Sequence, residues 1–370
     1  MKIALDARPL NNKKTGIGNY VHHLLDELLK IDKVNEYFLF SNEEIYFDNS
    51  KYPNSNKFVF KDKIGSLWLG FKVPFLLKKY DIDLFWGTQH MTPLFKPKGI
   101  EYLLTIHDLA LYKYPYVATK YINIVNRIFI PRSIAISDKI LCDSYSTKND
   151  VINRFKKSKD KHISIIYPAA NKIFTKNDKE FSRKYISEKY KIDDKFILFV
   201  GTLEPRKNIT TLIKAFDNIV KEKNLKLVIV GGKGWKFESV FQLIDNLKLN
   251  SKIIFPGYVT DEDLVYFYNS CEIFVLPSLY EGFGIPLLEA RNCGAKVLAS
   301  NNSSLPEIVG DKRYLFDNVE DSLELQTKIL EVLEEDNTEG YDNLHEKFDW
   351  AISAQKFYDL INNKMREKSW

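Results

Sequence analysis

The feature that most restricts the fold of this chain is an alternation in its second half, where short continuous apolar runs are separated by amphipathic stretches. The runs fall at 196–200, 225–230, 253–255, 273–276 and 297–299. None of them alternates apolar with polar residues, which is how strands buried on both faces of a parallel sheet read. Between them, 208–221, 238–247, 261–270 and 286–293 carry apolar residues at helical spacing. Strand and helix in regular alternation predict a doubly wound α/β domain.

The first half repeats the theme less cleanly. Strands are expected at 2–5, 37–40, 58–60, 84–86, 102–106 and 139–142, and helices at 18–30, 67–79, 121–137 and 146–155. A chain of 370 residues exceeds what one hydrophobic core usually supports. The expectation is therefore two Rossmann-like domains, 1–170 and 171–340, joined within 168–179. The polar stretch 337–340 would let closing helices in 341–370 turn back across the first domain.

Composition removes several classes. At 45% hydrophobic and 28% charged residues, the chain is neither disordered nor fibrous. Its apolar runs are strand-length, too short to span a bilayer, and Asp6 and Arg8 interrupt the N-terminus before a signal-like run develops. A cytoplasmic protein is expected. Cys142, Cys271 and Cys293 form no CxxC pair, and the six histidines show no metal-binding spacing. Buried thiols are predicted, and no protein-held metal. Residues 1–170 carry 26 Lys+Arg against 17 Asp+Glu, a net of +9, while 171–370 carry 28 against 32, a net of −4. The basic half suits an anionic surface, including the inner face of a membrane, or an anionic acceptor. It lacks any zinc-finger, RNP or helix-turn-helix pattern, so nucleic acid is not the expected partner.

In open α/β sheets, ligands bind beyond the carboxyl ends of the strands. The distinctive residues lie there: Gly201-Thr202-Leu203-Glu204-Pro205-Arg206-Lys207-Asn208, Gly231-Gly232, Gly257-Tyr258-Val259, and Ser278 through Gly284. Any one loop is explained by Gly and Pro as punctuation; four successive ones describe a binding edge. Pro286 suits the first position of a helix, and the glycines before it leave amides able to approach a ligand at the positive helix end. Glu281 and Glu289 are acceptors for sugar or ribose hydroxyls, although an acid near a helix start such as Glu289 is also favoured by the dipole. Arg206 and Lys207 can neutralise a diphosphate, or can be a solvated basic pair.

Glu281 and Glu289 within EGFGIPLLE resemble the E-x7-E motif of the retaining GT-B transferases of glycosyltransferase family four, and GTLEPRKN resembles that family's phosphate-binding loop. TGIGNY, IHDL at 106–109, CDSYSTKNDV at 142–151 and PGYVTDEDL at 256–264 extend the resemblance over nearly the whole chain. It implies a GT-B fold, two Rossmann-like domains facing a central cleft. It also implies a nucleotide-sugar donor held without a metal or cofactor. Lys207 and Arg206 would hold the diphosphate, and Glu281 would contact the transferred sugar. The backbone of Gly282, Phe283 and Gly284 would face sugar and phosphates. Glu289 would bind the ribose, and Val259, Thr260 and Asp261 would line the base. Gly16 and Gly18 would bring the first domain's backbone to the diphosphate. His107 would sit near the anomeric carbon, bonding a sugar hydroxyl or assisting proton movement. One departure is Thr202, where many members carry arginine.

Other signals are discounted. Asp81-Ile82-Asp83 precedes its strand, so it reads as a polar helix-to-strand turn rather than a metal-binding DxD. Gly16-x-Gly18 lacks the third glycine of a dinucleotide fingerprint. Asp261 can equally cap a helix. The stretch 67–79 mixes bulky apolar residues with lysines; a core-facing helix is preferred to one meeting a membrane or a lipid-linked acceptor. The expected activity is retaining transfer of a sugar, mannose from GDP-mannose by preference, to a saccharide or lipid-linked saccharide in surface-polysaccharide or lipopolysaccharide assembly. UDP- or dTDP-sugars remain open as donors, as does an epimerase or hydrolase of the same architecture.

Overall fold

The apolar runs form two all-parallel sheets in the computed structural model, which describes every residue except 12–14, 118, 233, 235–236, 336–346 and 363–370. The first sheet contains β1 (Lys2–Asp6), β2 (Glu36–Ser41), β3 (Ser55–Val59), β4 (Leu84–Gly87), β5 (Glu101–Ile106), β6 (Lys139–Cys142) and β7 (His162–Ile165). Its order is β3-β2-β1-β4-β5-β6-β7. The second contains β8 (Phe196–Val200), β9 (Lys226–Val230), β10 (Ile253–Gly257), β11 (Ile273–Leu276), β12 (Val297–Ser300) and β13 (Leu315–Phe316), ordered β10-β9-β8-β11-β12-β13. Both follow the doubly wound plan, whose direction reverses between β1 and β4 in one sheet and between β8 and β11 in the other.

The chain divides into one unit of Met1–Pro168 with Phe348 onward, and a second of Ala169–Lys347. The expected residues 337–340, and 341–346 of the closing helices, lie outside the described residues. Helix Trp350–Ile361 packs on helix Gly16–Ile31 within the first unit. Trp350 meets Tyr20 edge-on at 5.6 Å and stacks with His23 at 5.5 Å. The stripe Val21, Leu24, Leu25, Leu28 and Leu29 turns the opening helix inward, each buried side chain contributing about 1.5–3 kcal/mol. Helix Ile209–Glu222 does the same in the second unit through Leu212, Ile213, Phe216 and Ile219.

The stretch 67–79 departs from the single core-facing helix expected. It runs as a helical turn Gly65–Leu67, a π-helical turn Trp68–Lys72 and a helix Val73–Lys79. Pro74 has no N–H to give the Gly70 carbonyl, which instead accepts from the Leu94 amide at 3.2 Å. The segment also shows two apolar faces. Trp68, Leu69, Val73 and Leu77 enter the core, while Phe71 and Phe75 are exposed, Phe75 by 76%. Asp81, with φ +52, lies in the turn between this helix and β4, as the reading of Asp81-Ile82-Asp83 as a helix-to-strand turn expects. All three cysteines are buried free thiols.

Candidate active site

The reversal between β8 and β11 gathers the second unit's predicted charges. After β8, residues 201–208 end in a 3₁₀ turn, Pro205–Lys207, and Asn208 takes a left-handed conformation with φ +56 before helix Ile209–Glu222. Asn208 fixes the turn by donating to the Pro277 carbonyl at 3.1 Å and the Val319 carbonyl at 2.6 Å. The Leu279 amide donates to the Arg206 carbonyl at 2.8 Å, tying the two strand-end loops together. From β12, Ser303 Oγ accepts from the Glu281 amide at 3.0 Å, and Ser304 Oγ donates to the Phe283 carbonyl at 2.6 Å.

Glu281 is thereby placed against both cations. Its Oε1 accepts from Lys207 Nζ at 2.7 Å and from Ser278 Oγ at 2.6 Å, and its Oε2 from Arg206 Nη1 at 2.9 Å. Arg206 also bonds Glu204 at 2.7 Å and the Tyr280 carbonyl at 2.7 Å. Burial alone would raise the Glu281 pKa, but Lys207 and then Arg206 outweigh it and hold the carboxyl at about 2. Of the two readings of these cations, the solvated basic pair does not describe this state. Arg206 and Lys207 are screened from solvent and matched by Glu204 and Glu281, two positive charges against two negative.

Glu289 takes no part in that network. It stands in helix Ile285–Asn292, half-buried, and accepts from the Tyr268 hydroxyl at 3.0 Å. Burial pushes its pKa to about 8, with the charge of Asp261 adding to the shift, so the carboxyl is mostly protonated at neutral pH. Pro286 lies one residue inside this helix rather than opening it. Gly284 precedes the helix at φ +114, where a Cβ would meet Leu305 Cδ2 at 2.7 Å. Only glycine fits that turn. Gly282 and Phe283 continue the same loop, Phe283 buried. Val259 is buried and Thr260 exposed at the end of β10. Thr260, not Asp261, caps helix Asp261–Ser270, its Oγ1 accepting from the Asp263 amide at 3.3 Å.

In the first unit, Thr15 caps helix Gly16–Ile31 by accepting from the Gly18 amide at 3.0 Å, so that amide is already committed. A Cβ on Gly18 would fall 2.7 Å from the Pro9 carbonyl oxygen, whereas Gly16 meets nothing within 4 Å. His107, at the end of β5, is buried with both ring nitrogens engaged. Nδ1 lies 2.7 Å from Asp143 Oδ2 and Nε2 lies 2.8 Å from the Thr88 carbonyl. The carbonyl can only accept, so Nε2 carries a proton. Burial pulls the His107 pKa down, but the charge and hydrogen bond of Asp143 outweigh it and raise it overall. Burial raises the Asp143 pKa as well, so the two side chains share a proton across this contact, and no ring nitrogen is free for a sugar hydroxyl in this conformation. Asp143 and Thr88 were not singled out from the sequence, although Asp143 directly follows β6 within the CDSYSTKNDV stretch.

Residues 14–172 match the model described as Glycosyltransferase Family 4, and residues 182–349 match the model described as Glycosyl transferases group 1. The chain is a family-four glycosyltransferase of the GT-B type. The enzyme is 28% identical to O-antigen chain mannosyltransferase B of Escherichia coli, over 91% of this chain and 92% of that one. It is also 28% identical to O-antigen chain mannosyltransferase RfbU of Salmonella typhimurium, over 83% and 78% of the two chains. Its fold matches the sucrose-phosphate synthase of Thermosynechococcus elongatus with a TM-score of 0.79 at 20% identity, covering 98% of this glycosyltransferase and 99% of that chain.

Proposed function

We propose that this glycosyltransferase moves mannose from GDP-mannose to a saccharide or lipid-linked saccharide, keeping the anomeric configuration, in surface-polysaccharide or lipopolysaccharide assembly. The observation that carries the donor site is the placement of Lys207 and Arg206 on Glu281 at the reversal between β8 and β11. A diphosphate entering there takes over the two cations, which neutralise the leaving group as its bond to C1 breaks and so do work given elsewhere to a metal. Glu281, freed from them, faces the sugar. The acceptor oxygen forms its bond to C1 on the face the diphosphate leaves, and its proton passes to a donor phosphate oxygen. Glu289, protonated, gives or accepts hydrogen bonds with the ribose. The mannosyl choice rests on the two mannosyltransferases, which the chain matches over most of their length.

Peripheral contact with the inner face of a membrane belongs to the same reading. Ser66 Oγ lies 3.2 Å from Tyr121 Oη and Arg132 donates to the Leu94 carbonyl at 3.0 Å, so helix Lys120–Ile136 runs beside the 65–79 segment. Phe71, Phe75, Phe95, Ile124 and Ile128 are exposed there among Lys72, Lys78 and Arg127. Exposed aromatic and aliphatic side chains among cations fit an anionic bilayer surface.

The test is a thermal-shift screen of nucleoside diphosphates against wild type and Lys207→Ala. A ligand at a hundred times its Kd stabilises by about 2.7 kcal/mol. Stabilisation by GDP, lost in the variant, is expected; a preference for UDP or dTDP replaces the donor, and no response to any diphosphate removes the reading. With GDP-mannose, turnover should survive EDTA and give the α-anomer by NMR.

A further inference from the structure

Glu289 owes its orientation to a residue of the neighbouring helix. Tyr268 donates its hydroxyl to Glu289 Oε2 at 3.0 Å, and among the described residues no group bonds Oε1. Tyr268 is wholly buried in helix Asp261–Ser270. Its ring sits edge-on between Phe274 of β11 at 5.5 Å and Phe174 at 5.9 Å. Phe174 belongs to the stretch that opens the second unit, and Asn269 pins that stretch to the same helix. Asn269 Nδ2 donates to the Thr175 carbonyl at 3.0 Å, and its Oδ1 accepts from the Asn177 amide at 2.6 Å. A ring packed on two sides keeps its rotamer, and its hydroxyl stays in one place.

For packing alone this pair is a poor choice, since leucine and phenylalanine would fill the space without desolvating an acid. What the pair adds is direction. Burial, with the charge of Glu289, raises the Tyr268 pKa well above its ordinary value, so the phenol remains a donor at any working pH. Its proton marks Oε2 as the acceptor oxygen of the carboxyl, and the proton of the neutral acid then belongs on Oε1. The same helix begins at the turn of Val259, Thr260 and Asp261, with Thr260 as its cap. Tyr268 lies about two turns further along. One rigid element therefore carries the base-lining turn at its start and the partner of the ribose acid further on.

We propose that Tyr268 is a positioning residue for the nucleotide: its phenol holds the Glu289 carboxyl so that Oε1 meets a ribose hydroxyl, and it thereby sets a preference for ribonucleotides over sugars lacking those hydroxyls. The inference rests on the donor-site reading, which brings a ribose to Glu289. A carboxyl free to turn would meet the same hydroxyls after losing rotamer freedom, whereas one already fixed loses none on binding. Tyr268 touches no part of the ligand; it acts through Glu289.

The experiment is calorimetric titration of GDP, UDP, the 2′,3′-dideoxy form of each and inorganic pyrophosphate. The proteins are wild type, Tyr268→Phe, Glu289→Ala, the double variant, and Phe174→Leu as a second route to the same ring. Wild type should bind its preferred diphosphate about tenfold more tightly than the dideoxy form, the worth of a ribose hydrogen bond. Tyr268→Phe should cut that ratio to about threefold or less by weakening the ribonucleotide alone, with dideoxy and pyrophosphate affinities kept. A ratio taken on one preparation stays readable even where part of the variant is unfolded. Phe174→Leu should lower it in the same direction, and Tyr268→Phe should change nothing further once Glu289 is alanine. Equal weakening of every ligand, a full ratio in both ring variants, or additive losses in the double variant overturns the proposal. So does a wild type that binds GDP or UDP no better than its dideoxy form, which leaves the donor site standing. A wild type that binds no nucleoside diphosphate removes the donor reading and this inference with it.

Discussion

Glu281→Gln separates electrostatics from shape in the donor loop, because glutamine keeps the size of the side chain and removes its charge. A carboxyl held at about 2 in the folded protein, against roughly 4.3 in an unfolded chain, is worth about 3 kcal/mol of stability at neutral pH. The sign follows from the direction of the shift. Because the folded pKa is depressed, the contribution is complete above the unfolded value and is lost as pH falls through the folded one. Wild type should therefore exceed Glu281→Gln by about 3 kcal/mol at pH 7 and by only about 1 kcal/mol at pH 3. The variant also leaves Lys207 and Arg206 crowded without their carboxylate, which pushes the pH 7 difference upward.

Two units need not unfold together, so the assay must report on the second one. Urea unfolding followed by hydrogen exchange of β8 and β11 peptides does so. A pH-independent difference between wild type and variant would refute the ion-pair account, whatever its size. The same variant makes an opposite prediction for ligands: with the two cations no longer matched, inorganic pyrophosphate should bind more tightly than to wild type, while sugar transfer collapses. Weaker pyrophosphate binding would mean that Arg206 and Lys207 are not the phosphate cations.

Two further perturbations follow from the buried carboxylates. Glu289 is a raised acid, so folding loses stability as pH climbs from the unfolded value towards about 8. Glu289→Gln should be the more stable protein above pH 8, by about 1–2 kcal/mol once solvent screening of a half-buried group is allowed for; a thermal-melt series from pH 5 to about 9 that shows no crossover or widening contradicts this. Asp143→Asn should lower the His107 pKa and leave a neutral ring with its proton on Nε2, against Thr88. It should also destabilise the first unit by about 3–5 kcal/mol for a broken buried pair. Because a raised histidine contributes below its unfolded pKa and fades as pH rises through the folded one, this deficit should shrink in alkali. Imidazole ¹⁵N shifts still showing a doubly protonated His107 at pH 7 in the variant would sink the assignment.

The second unit was the more legible in the sequence because its strands are buried on both faces. Phe196–Val200 and Ile273–Leu276 have no polar position to blur their limits. Elements that bury little left little signal. Helix Lys179–Tyr190 sends only Ser182 and Ile186 inward, so its periodicity is too weak to mark a helix at the domain join; β13 is two residues long. In the site, motifs located Lys207, Glu281 and Glu289, but no motif states which charges pair. Asp143 and Thr88 meet His107 from β6 and β4, strands that only the sheet order makes its neighbours.

The charge balance after β8 has a consequence for how a donor is admitted. Glu204 and Glu281 cancel Arg206 and Lys207 before any ligand arrives, so a free anion gains less there than at an open cation pair. Binding energy must first be spent separating Glu281 from two buried partners, and an inorganic phosphate offers little else in return. A nucleotide sugar offers more: its ribose reaches the neutral Glu289, and its sugar gives the displaced carboxylate of Glu281 new hydroxyl donors. Selectivity for a nucleotide ligand over a bare phosphate then comes from the cost of opening an ion pair, a cost that the ribose contact and, in the whole donor, the sugar contact offset.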